Sequence, residues 1–172
     1  VRLRGKKTAL VVDPFDREKT GIKFEKTEAD AVLLTSKKSP QTSLQQVQNY
    51  RVVVDGPGEY EVGGVSIVGI AIGELTTYYI KMDGVALLHL GALQKPLNES
   101  EFEKYPNIDI VFVPVGLGKE VTDMVAKLEP KIVIPIHFDE TPAAFLKELG
   151  KEETKPQSKL SIAKDKLPQE LE

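Results

Sequence analysis

The sequence predicts an α/β fold in which mixed β-sheets carry helices on their outer faces. Three observations predict it. The first half is punctuated by hairpin signals. The second half alternates apolar β-rich runs with helical periodicity. The composition, 41% apolar and 28% charged, is that of an ordinary globular chain. At about 150 residues per domain, 172 residues make one domain, expected to run over 1–172 with a weakly structured tail at 151–172.

Each element has a local cause. Ala9–Val12 is an apolar, β-branched run closed by Asp13-Pro14, and Ala31–Thr35 and Arg51–Asp55 read as further strands. Between them, Ser39-Pro40 predicts a short helix, with Leu44 and Val47 on one face. Gly56-Pro57-Gly58 and Gly63-Gly64 are turns, the second joining Glu59–Val62 to Val65–Ile70 as a hairpin. Asp83-Gly84 between Thr77–Met82 and Val85–Leu90 is the strongest hairpin signal in the chain. Asn98 and Glu101 have capping-box spacing before a helix expected to end near Pro106. Ile108–Pro114 and Lys131–Ile136 are strands. Val121, Met124, Val125 and Leu128 between them follow the i, i+3, i+4, i+7 pattern of a helix buried on one side. Thr141, Pro142 and Gly150 bracket a last helix carrying Phe145, Leu146 and Leu149. In the tail, Leu160–Ile162 is expected to form one docked edge strand.

Composition also excludes. The 23 Lys and Arg against 26 Asp and Glu leave a net charge of −3, and with no long basic run nucleic-acid binding is not expected. With no cysteine, disulfides, thiolate zinc sites and cysteine nucleophiles are excluded. No apolar stretch approaches the ~20 residues of a membrane span, and no signal-peptide pattern is present, so a cytoplasmic location is expected.

Few motifs carry chemistry. Gly116-Leu117-Gly118-Lys119 follows a strand but lacks the spacing and the Ser or Thr of a phosphate loop, and reads as a strand-to-helix connection. Asn98-Glu99-Ser100 fits a glycosylation sequon and reads as a helix cap. The two histidines, His89 and His137, each sit at the C-terminal end of a strand, where α/β folds build their sites. Two histidines alone do not make a catalytic zinc site.

The order of segments says more than any one motif. Asp13-Pro14-Phe15 follows a strand, Ala29–Thr35 leads into a loop, and Gly58–Val65 makes a hairpin. Leu88-His89-Leu90-Gly91, Asp109–Gly116 and Pro130–Phe138 follow in turn. Over residues 8–140 this series resembles the metallo-β-lactamase superfamily, in its branch of metal-dependent hydrolases similar to ascorbate-6-phosphate lactonase. The resemblance implies a four-layer αββα sandwich of two mixed sheets with outer helices. It also implies that this chain lacks the first and last strands of the family.

The metal-binding positions depart from the pattern. After the Ala29–Thr35 strand the family reads Thr-His-x-His-x-Asp-His, whereas this chain reads Thr35-Ser36-Lys37-Lys38-Ser39-Pro40-Gln41. Ser36 and Lys38 occupy the first two histidine positions, Pro40 the aspartate position and Gln41 the last histidine position. Ala71-Ile72-Gly73-Glu74 carries no histidine, Ala92 stands where the bridging aspartate is expected, and only His137 matches a ligand position. Superfamily catalysis rests on divalent ions that lower the pKa of a bound water. One imidazole without a carboxylate does not hold such an ion, and Lys38 brings a positive charge to its place. The resemblance therefore implies a degenerate metal site. The ancestral zinc or manganese is expected to be lost, with no metal ligands, no cofactor and no catalytic residues, while enzyme activity is left open.

Three roles are open at this level. Lys37, Lys38, His89 and His137 could ring a pocket that binds a small anion such as a phosphate or carboxylate, or a protein partner. A metal-dependent hydrolase of lactones or phosphoesters could use a relocated site drawn from Asp13, Asp55, Glu59, His89 and His137. An assembly role could use Glu59-Tyr60-Glu61 and the charged tail.

Overall fold

The computed structural model describes residues 1–172 apart from 23, 40, 41, 139, 140, 156, 170 and 172, and only the backbone of Arg17. The chain divides into two compact units, Val1–Asp83 and Gly84–Glu172.

The first unit contains β1 (Arg2–Arg4), β2 (Ala9–Val12), α1 (Arg17–Thr20), β3 (Thr27–Glu28), β4 (Ala31–Leu33), β5 (Val47–Gln48) and β6 (Val52–Val54). The long strands β7 (Gly58–Val62), β8 (Val65–Ile72) and β9 (Leu75–Met82) follow. Its four-stranded sheet, β1-β2-β4-β6, is mixed: β1 is antiparallel to β2, and β2, β4 and β6 are parallel. Leu10, Val11, Val12, Ala31, Val32 and Leu33 are wholly buried, as expected of parallel strands covered on both faces. Val11, Ala29, Val32 and Val47 form one apolar cluster, against which Phe24, Leu44 and Tyr50 pack. Burying each such side chain contributes roughly 1.5–3 kcal/mol.

The strands β7, β8 and β9 run antiparallel in that order. Gly63 (φ 56°) and Gly64 (φ 82°) supply the left-handed backbone that a two-residue hairpin turn needs, and Val62 pairs with Val65 across it. Gly69 has a different job. A Cβ at this position would lie 2.6 Å from the carbonyl oxygen of Gly56, so its hydrogen lets the Gly56-Pro57 turn close onto β8.

The second unit contains β10 (Val85–His89), α2 (Glu99–Phe102), β11 (Ile110–Pro114), α3 (Lys119–Leu128), β12 (Ile132–Ile136) and α4 (Ala143–Glu148). β10 pairs in parallel with β11, and β11 with β12. The helix signals hold. Asn98 accepts from the Glu101 N–H while the Glu101 carboxylate accepts from the Asn98 N–H. α3 buries Val121, Met124, Val125 and Leu128. Ahead of α4 the Thr141 hydroxyl accepts from the Ala143 N–H at 3.0 Å, and Gly150 (φ 68°) ends it.

Three expectations need correction. The helix expected from Ser39-Pro40 is a three-residue 3-10 turn at Leu44–Gln46, because Val47–Gln48 is drawn into pairing with Thr27–Glu28; residues 40 and 41 lie outside the described residues. The helix after Asn98 ends at Phe102 rather than near Pro106. Leu160–Ile162 is no strand, and Leu160 is exposed; the tail's ordered piece is instead a 3-10 turn, Lys164–Lys166. Among the described residues, no helix is long and apolar enough to cross a membrane.

Candidate functional site

In the first unit the site is built where β2 and β4 end. Asp13, directly after β2, takes a left-handed conformation (φ 47°). That turns its carboxylate onto Thr35: Oδ1 accepts from the Thr35 N–H at 2.8 Å and Oδ2 from the Thr35 hydroxyl at 2.6 Å. Tyr78 of β9, fully buried, shares its hydroxyl proton between the carbonyls of Leu34 (2.8 Å) and Val54 (3.0 Å). Burial first, then the negative charges of Asp13 and Asp55, push this phenol far above its ordinary range, so it stays a neutral donor.

From this anchored strand end the loop 36–39 leaves along the rim of a cleft of about 320 Å³, walled by Thr35–Lys38, Asp55–Pro57, Ala71 and Gly73–Thr76. Lys37 and Lys38 both line it; His89 and His137 are not among its lining residues. Each lysine already has a carboxylate: Lys37 Nζ lies 3.2 Å from Asp55, and Lys38 Nζ 3.1 Å from Glu74. Ser36 turns its hydroxyl back to accept the Lys38 N–H at 3.3 Å. Glu59 is exposed on β7. Pro40 and Gln41 lie outside the described residues.

In the second unit the two histidines differ sharply. His89, the last residue of β10, is 2% exposed and stacks on Phe112 with ring centroids 5.3 Å apart. Its Nδ1 accepts from the Gly91 N–H at 3.1 Å, so the neutral ring carries its proton on Nε2. Burial, with the charge of nearby His137 adding to it, drives its pKa well below 6.5. It is a structural histidine, closed to solvent. His137 is exposed and follows β12 in a left-handed conformation (φ 54°), a backbone strain that concentrates at functional positions. Ala92 is exposed and offers no donor atom.

Asp109 lies in the resemblance segment Asp109–Gly116, but the sequence alone assigns it no role. It is buried at the start of β11 and accepts from the Ala86 N–H at 2.8 Å. The strand expected over Ile108–Pro114 begins instead at Ile110, which leaves Asp109 just ahead of it. Tyr78 was missed as well, since nothing in its neighbours marks which tyrosine is buried. Among the described residues, no group of three or more His, Asp or Glu side chains is gathered as metal ligands would be.

A family model described as the β-lactamase superfamily domain matches residues 1–137. A metal-dependent hydrolase from Thermococcus onnurineus is 27% identical over 180 residues, covering 77% of this chain and 78% of its own. Another from Pyrococcus abyssi is 30% identical over 102 residues, 49% of this chain and 45% of its own. A crystal structure from Thermotoga maritima, designated a zinc-dependent hydrolase of the metallo-β-lactamase superfamily, is 30% identical with a TM-score of 0.68. That match covers 80% of this chain and 70% of the other.

Proposed function

This chain belongs to the β-lactamase superfamily, has the metallo-β-lactamase fold and is related to metal-dependent hydrolases; from that premise we propose that it is a non-catalytic member with a degenerate metal site. The observation that carries the reading is the loop after β4. Where the resemblance calls for imidazoles it has Ser36 and Lys38, and the Lys38 ammonium sits 3.1 Å from Glu74. The donor set does not fit a divalent ion. An ammonium has no lone pair to give, the Ser36 hydroxyl is a weak ligand held by a backbone N–H, and Ala92 has no donor. Without a bound ion no hydroxide forms near neutral pH, so the ancestral hydrolysis has no nucleophile.

Three of the five groups that a relocated site would draw on are otherwise engaged. Asp13 accepts twice from Thr35, Asp55 holds Lys37, and His89 is buried with Nδ1 in use. The remaining chemistry of the cleft is ionic. Its lysines are paired on the surface, where such pairs are worth about 0.2–1 kcal/mol, so a doubly charged phosphate can compete for them.

Elemental analysis of protein produced with added zinc or manganese, then dialysed, tests the reading. Well under one ion per chain is the expected result. A stoichiometric metal, or turnover of a lactone or phosphodiester that a chelator abolishes, would overturn it and favour the atypical hydrolase. A thermal-shift series with sugar phosphates tests the cleft: a stabilisation by phosphate that disappears in Lys38→Ala is expected, and its absence removes the anion site.

A further inference from the structure

One stretch of the tail is held firmly. Lys164 sends its ammonium to Asp109, with Nζ 2.9 Å from Oδ1 and 2.7 Å from Oδ2. Three residues on, Leu167 is buried. The stem of Lys164 lies beside Gly84, where an added Cβ would meet its Cβ and Cγ at 3.9 Å. Asp109 is the hub of the second unit's strand starts. Its backbone N–H donates to the Ala86 carbonyl, and its carbonyl accepts from the N–H groups of Lys131 and Ile132. Its carboxylate, 6% exposed, has lost its water. The Ala86 N–H and the Lys164 ammonium offset that loss. The ammonium comes from 55 residues away, on a segment that forms no strand.

We infer that residues 164–167 are a strap, a releasable segment latched at one end by the Lys164 ammonium on Asp109 and at the other by Leu167. The Lys164 side chain is 54% exposed, so water and salt reach the ionic end. The strap's own backbone bond, from the Lys166 N–H to the Ala163 carbonyl, is local. The ladder pairs Leu87–His89 with Ile110–Phe112 and Ile110–Pro114 with Ile132–Ile136, and no strap residue takes part in it. Removing the charge of Lys164 therefore releases the ionic end of the strap and leaves the strands paired.

Backbone ¹⁵N relaxation on the full chain tests this. In the wild type, order parameters at 164–167 are expected near the rigid value of about 0.85, falling below about 0.6 at 164 and 165 in Lys164→Met, which keeps the stem and loses the charge. Lys164→Arg is expected to stay ordered, and amides of β10, β11 and β12 to be unchanged in both. An ordered strap in Lys164→Met would overturn the ionic latch. Loss of order throughout β10, β11 and β12 in that variant would show that Lys164 belongs to the unit's core and would overturn the strap.

Discussion

The first unit keeps the two ion pairs of its cleft at the surface, and the second buries half of one. Lys37–Asp55 and Lys38–Glu74 face water on both sides, with side chains 52–82% exposed. Asp109 is 6% exposed beneath a half-exposed Lys164. All three contacts are close to 3 Å, so distance does not separate them. Solvent does: water screens the rim pairs until each is marginal, whereas a carboxylate stripped of water depends on its partners. A lysine at a rim is a replaceable contact, and a lysine over a buried acid holds its own segment in place.

Asp109→Ala is the strongest way to break this contrast. It leaves the Ala86 N–H without its acceptor and Lys164 without its anchor, and should lower stability by about 2–3 kcal/mol in urea unfolding. A loss no larger than that of a rim substitution would erase the distinction. Tyr78→Phe extends it to neutral groups. The carbonyl of Leu34 loses its phenol donor, and a loss of about 1–2 kcal/mol is expected in the same assay.

His89 supplies a pH axis. Its folded pKa lies below the ordinary 6.5, so as pH falls the unfolded chain takes the proton first. The stability tied to the neutral ring is fully present above about pH 6.5 and declines from there as pH falls through the folded value. Urea midpoints across this range should drop toward acid more steeply in the wild type than in His89→Phe. Equal slopes would mean the ring titrates freely. Lys38→Ala should have the smallest effect, within about 0.5 kcal/mol. A larger loss would show that the loop after β4 needs its ion pair with Glu74.

What the sequence made legible was local. The Gly63-Gly64 turn, the Asn98–Glu101 cap and the buried stripe of α3 are each specified by residues within one or two turns of chain, and each is where it was read. What failed depended on partners far away. β1 is three residues with arginine at both ends, and it exists because Leu3 pairs with Leu10. The run after Leu44 reads as helix until Val47 finds Thr27. Leu160–Ile162 alternates like a strand, yet the tail is fixed by Lys164 on Asp109, a pairing no local pattern contains. In the candidate site, Lys37 and Lys38 lie on a cleft whose lining does not include the two histidines grouped with them in the sequence. The engagement of the lysines with Asp55 and Glu74, and the burial of His89, were not legible, because exposure is a property of the packed chain.

Gly69 shows how far such control reaches. Its side chain is a single hydrogen, and it does not line the cleft, yet it sets how near the Gly56-Pro57 wall can stand. One methyl group added at position 69 would push that wall outward by the width of the clash and reshape the opening between Asp55 and Glu74 while every lining residue kept its identity. The breadth of the recess is thus adjustable from behind, by the thickness of the strand on which its wall leans.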